Sequence, residues 1–64
     1  MMTEELYREF SGTLNAYFYQ SVKSHATASD LTQQVFEKVI KTLSSYEQEI
    51  ESYGAWIFTI ARNT

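Results

Sequence analysis

Few side chains in this sequence could do chemistry, and their spacing narrows the kind. His25 is the only histidine. It has no second ligand at helical spacing, so it lacks the partners that a metal site or a general base would need. Ser44 and Ser45 have no histidine near them in sequence, and no glycine-rich loop is present to cradle phosphates. Glu47, Glu49 and Glu51 alternate, but without the spacing and turn glycine of a calcium loop. Cysteine is absent, which removes thiolate ligands and disulfides. These observations point away from an enzyme, a metal site and a cofactor. What remains is a stripe suited to binding. At about 3.6 residues per turn, Asp30, Gln33, Gln34, Glu37, Lys38 and Lys41 share one half of a helical wheel. Glutamine amides donate and accept at once, so two adjacent glutamines beside an aspartate suit docking onto another protein surface. The bland alternative is an ordinary solvated face.

The elements that must carry this stripe follow from apolar spacing. Ala28, Leu31, Val35, Phe36, Val39, Ile40 and Leu43 occupy the other half of the same wheel. They predict a helix from about Ala28 to Leu43, with Thr27 and Asp30 in a capping-box-like arrangement. Before it, Leu6, Phe10, Leu14, Tyr17, Phe18 and Val22 recur at helical spacing. They predict a first helix from about Glu4 to Lys23, with Thr3 as N-cap and acidic residues at its positive end. Gly12 inside it costs about 1 kcal/mol relative to alanine. Ser24–Ala26, with His25, is expected to be a linker. Ser44–Ser52 reads as a loop. From Tyr53 to Thr64 helical spacing resumes, with Tyr53, Trp56, Ile57, Ile60 and Ala61 on one side and Phe58 and Arg62 on the other. No cap is visible after it, so the pattern stops midway and reads as a piece of something longer.

The chain has 64 residues and a net charge of −3. That length allows one domain, residues 1–64, which buries only roughly 60% of its unfolded surface. Five tyrosines, four phenylalanines and one tryptophan supply enough bulk for a compact core, and the lack of proline favours uninterrupted helices. No stretch resembles a signal peptide or approaches the roughly 20 apolar residues of a membrane span. A cytoplasmic location without membrane association is the expectation. The mildly acidic balance argues against a standalone high-affinity nucleic-acid binder.

Two blocks together carry a resemblance. Ala28-Ser29-Asp30-Leu31-Thr32-Gln33-Gln34-Val35-Phe36 and Tyr53-Gly54-Ala55-Trp56-Ile57-Phe58-Thr59-Ile60-Ala61-Arg62-Asn63 resemble region 2 of bacterial RNA polymerase sigma factors, of the extracytoplasmic-function (ECF) type. Leu6, Tyr7 and Phe10 fit the first helix of that domain. The resemblance implies an all-α domain of three helices, the first two antiparallel and the third crossing them. It implies docking of the second helix on the coiled coil of the largest polymerase subunit, through Asp30, Gln33, Gln34, Glu37, Ile40 and Lys41. It implies that the loop after the second helix captures a flipped base of the promoter −10 element, with Tyr46 as the stacking residue. Arg62 and Asn63 would then meet the non-template strand. An anti-sigma factor is a further implied partner. Ser29 and Gln34 stand where the family commonly has acids, and Ile40 where it often has tryptophan.

A competing reading is a small helical protein–protein interaction module, homodimers included, with no nucleic-acid role. The acidic net charge and the abrupt end of the last helix favour it. An exposed apolar edge on so short a chain would promote self-association.

Overall fold

A computed structural model describes residues 2–45, 50 and 52–64. Its helices are α1 (Met2–Val22), α2 (His25–Ser45) and α3 (Tyr53–Arg62), and no strand occurs among the described residues. The fold is all-α. Helix α1 begins two residues before the expected start, so Thr3 lies inside its first turn rather than capping it. Glu4 and Glu5 occupy that turn, where carboxylates favour the positive end of the helix dipole. Gly12 is accommodated without a break.

The link between α1 and α2 is only Lys23 and Ser24. Lys23 has a positive φ of 55° and donates its N–H to the Tyr19 carbonyl at 2.8 Å, which closes α1 with a left-handed cap. Ser24 then starts α2. Its hydroxyl accepts from the Thr27 N–H at 3.3 Å, and its carbonyl accepts from the Ala28 N–H at 2.9 Å. The helix therefore starts three residues earlier than its apolar pattern suggested. Ser24, not Thr27, is the N-cap, and His25 belongs to the first turn of α2 rather than to a linker. So short a link makes the two helices antiparallel neighbours. Side-chain pairs mark successive levels along them: Tyr19 stacks on His25 at 4.3 Å, Thr32 meets Asn15, and Tyr7 meets Phe36 edge-on at 5.0 Å.

Helix α3 closes the open side of this pair. Ser52 caps it, accepting from the Ala55 N–H at 3.3 Å. Its C-terminus is also satisfied, contrary to the expectation of a missing cap. Asn63 donates its backbone N–H to the Ile60 carbonyl, and the Thr64 hydroxyl donates to the same carbonyl at 2.8 Å. Ile57 and Ala61 are buried in a core shared with Leu6, Leu14, Phe18, Ala28, Val35, Phe36 and Val39. Burying each large aliphatic side chain contributes about 1.5–3 kcal/mol. Phe58, expected to face away, is half-buried and meets Tyr17 of α1 edge-on at 5.6 Å. Lys38 of α2 donates to the Thr64 hydroxyl at 3.2 Å, so α3 is tied to both helices.

Candidate partner-binding faces

The two faces of α2 are separated by burial. Ala28, Val35, Phe36 and Val39 are buried, while Asp30, Gln33, Gln34, Glu37 and Lys41 are exposed. One residue departs from its expected place, and a second, Thr32, is buried without having been assigned to either face. Ile40, on the apolar half of the wheel, is 49% exposed. Thr32 is 2% exposed, and its hydroxyl donates to the Ala28 carbonyl at 2.8 Å. A threonine that bonds back to its own helix can enter an apolar interface without an orphaned donor.

Four residues of the exposed stripe divide between two grooves on opposite flanks of α2. On the α1 side, Gln33, Phe36, Glu37 and Ile40 form one wall, and Thr3, Glu4, Tyr7 and Arg8 form the other. This groove holds about 530 Å³. Its floor is apolar and its rim carries both charge signs, a combination suited to one apolar anchor flanked by polar contacts. Asp30 and Gln34 are exposed on the same helix but do not line it.

Lys41 sits elsewhere. With Lys38 and Thr42 it forms one wall of a groove of about 330 Å³ between α2 and α3, facing Trp56, Thr59, Ile60 and Asn63. Trp56 is half-buried, packs against the core and meets Tyr53 edge-on at 6.0 Å. Asn63 spends its amide on the Thr59 carbonyl at 2.9 Å. Arg62 is exposed in the last turn of α3, where a cation suits the negative end of the helix dipole. Tyr46, the expected stacking residue, lies outside the described residues. Among the described residues no group of three histidine or acidic side chains could hold a metal ion. No helix among them is long and apolar enough to cross a membrane.

Both grooves escaped the sequence reading because each is built by residues from two helices. Tyr7 entered only as part of the first-helix pattern, and Lys38 only as a member of a polar face. Nothing local marks Tyr7 as a neighbour of Phe36, twenty-nine residues later.

Comparison with known proteins decides the family. The model for Sigma-70 region 2 matches residues 6–64. The chain belongs to this family. It is similar to the ECF RNA polymerase sigma factor BldN of Streptomyces coelicolor, at 38% identity over 58 residues. That match covers 91% of this chain and 22% of the relative. It is also similar to the RNA polymerase sigma factor YlaC of Bacillus subtilis, at 33% identity over 61 residues, which is 95% of this chain and 35% of the relative. The chain thus spans about a fifth to a third of the length of these curated relatives. No solved structure gave a significant match. The three-helix, all-α architecture agrees with a sigma region 2 domain, and the ECF type inferred from the two sequence blocks agrees with the name of the Streptomyces relative. The family is a non-enzymatic one of transcription initiation factors.

Proposed function

We propose that this chain is the region 2 domain of an ECF-type transcription initiation factor. It docks on core RNA polymerase and takes part in recognising and melting the promoter −10 element. The family match over residues 6–64 is the observation that carries this reading. The polymerase contact falls to the exposed residues of α2: Asp30, Gln33, Gln34, Glu37, Ile40 and Lys41. Support comes from their shared exposure on one helix and from the apolar groove beside Gln33, Glu37 and Ile40. The partner surface is the coiled coil of the largest subunit. The nucleic-acid contact falls to the α3 end of the molecule, with Arg62 and Asn63 on the non-template strand and Tyr46 stacking on a base. Such a protein works in the cytoplasm, and an anti-sigma factor would compete for the α2 stripe.

The test is retention of purified core polymerase on the immobilised domain. Wild-type protein should retain it, and a folded Asp30→Ala/Gln33→Ala double variant should not. Equal retention by both would remove the α2 stripe from the reading.

Self-association is a second reading, favoured by the exposure of Tyr7 and Ile40 at 47% and 49% beside one apolar groove. Sedimentation velocity across a concentration series separates the two. A groove kept for the polymerase predicts a monomer throughout.

A further inference from the structure

We infer that α3 opens as a unit from an α1–α2 pair that stays folded. The second half of this inference rests on the proposed function: the polymerase-binding face of α2 outlasts the opening.

Burial is the first ground. Of the ten residues of α3, Ile57 and Ala61 alone are buried. Tyr53, Gly54, Trp56, Phe58 and Ile60 are half-buried, and the others are exposed. Helix α2, in contrast, buries Ala28, Thr32, Val35, Phe36 and Val39 along its length. Apolar burial is the main force that holds an element in place. Elements with few buried apolar side chains open locally before the whole chain unfolds. Helix α3 is that element here.

The contacts between helices are the second ground. Helices α1 and α2 meet at three levels through Tyr7–Phe36, Asn15–Thr32 and Tyr19–His25, and none of these pairs involves α3. The capped link at Lys23 and Ser24 also lies outside α3. Phe58 of α3 meets α1 at the edge of Tyr17, a residue 39% exposed. The bond from Lys38 to Thr64, just past α3, is exposed, so water replaces it on opening. Gln33, Glu37 and Ile40 line a groove whose other wall is α1. Departure of α3 leaves that groove whole.

Amide hydrogen exchange of the 64-residue protein, followed by NMR in water and in sub-denaturing urea, tests both halves. The Ile57–Ala61 amides should exchange faster than those of Val35 and Val39. Their dependence on urea should be shallower, because opening α3 exposes less surface than unfolding the chain. Thr32→Val should speed exchange at Val35 and Val39 by about fivefold, the equivalent of one typical hydrogen bond. It should leave α3 unchanged, since that bond persists when α3 opens. Gly12→Ala should slow the α2 amides by about fivefold, again with no change in α3. Circular dichroism confirms that each variant is folded. Equal protection and equal urea dependence in α2 and α3 overturn the inference, as do variants that shift both sets together.

The same measurement is repeated with the isolated coiled-coil fragment of the largest polymerase subunit, at a free concentration about ten times its Kd. A ligand that binds the closed and α3-open states alike cannot change the equilibrium between them, but it stabilises both against unfolding. Exchange at Val35 and Val39 should therefore slow by about tenfold, while α3 exchanges as before. Slowing in α3 as well overturns the claim that the polymerase-binding face outlasts the opening. A fragment that does not bind overturns the proposed polymerase contact and this second half with it, and the Thr32 and Gly12 variants still decide the opening itself.

Discussion

The Thr32 hydroxyl, in a residue 2% exposed, lies 3.3 Å from the Asn15 side-chain oxygen across the α1–α2 interface. It is a polar contact between the two long helices at a buried position. Asn15 is held in turn by its own bond to the Ser11 carbonyl at 3.1 Å. The contact lies on the buried side of α2, opposite the exposed Asp30, Gln33, Gln34 stripe.

Thr32→Val keeps the shape of the side chain and removes its hydroxyl. The expected loss is about 1 kcal/mol, the net value of a typical hydrogen bond. In a domain of this size that lowers the melting temperature by about 4–8 °C. Thermal circular dichroism measures it. An unchanged midpoint would mean that the hydroxyl contributes nothing to stability.

Gly12 is exposed in the middle of α1, and a Cβ built there meets nothing within 4 Å. Gly12→Ala should therefore stabilise by about 1 kcal/mol, the full difference in helix propensity. A fall in the melting midpoint would show that the helix is interrupted at this point.

Lys23 pays for the tight turn with a left-handed backbone conformation that L-residues adopt at a cost of about 1–2 kcal/mol. Lys23→Gly relieves that cost but enlarges the freedom of the unfolded chain, for a net gain of up to about 1 kcal/mol. Lys23→Val should destabilise, because a branched side chain fits this conformation poorly. Urea unfolding of the pair should place the glycine variant above the valine variant. The reverse order would contradict the left-handed cap.

How much of this was legible can be argued from the same residues. The inward set Ala28, Val35 and Val39 and the outward set Asp30, Gln33 and Gln34 follow from helical spacing alone, because period is a property of one segment. Helix starts were less legible. Ser24 and Thr27 are both good cap residues, and the apolar pattern of α2 does not begin until Ala28. The choice fell to Ser24 because Lys23 can turn the chain at once. Thr32 looked polar in sequence and is buried, since a neighbouring carbonyl takes its proton. The pairings Tyr7–Phe36, Tyr17–Phe58 and Lys38–Thr64 depend on how helices meet, which no local pattern encodes.

Ile57 is fully buried and joins α3 to the core. Ile57→Ala should cost about 2–5 kcal/mol. That is a large share of the total stability of a chain this short, at roughly 0.05–0.15 kcal/mol per residue. Urea unfolding should show the loss, and Trp56 fluorescence should shift as α3 comes away. A cost below about 1 kcal/mol would be too small for a side chain seated in the core.

The central claim is that the outer stripe of α2 binds the polymerase. The most direct measurement is calorimetric titration of the domain with the isolated coiled-coil fragment of the largest subunit. Wild-type protein should bind. Asp30→Ala and Gln33→Ala should each weaken binding, by up to about tenfold for a contact worth about 1.4 kcal/mol. Lys38→Gln, on the opposite flank of α2, should bind as wild type does. A folded wild-type domain that gives no binding, or equal losses from both flanks, would contradict the account.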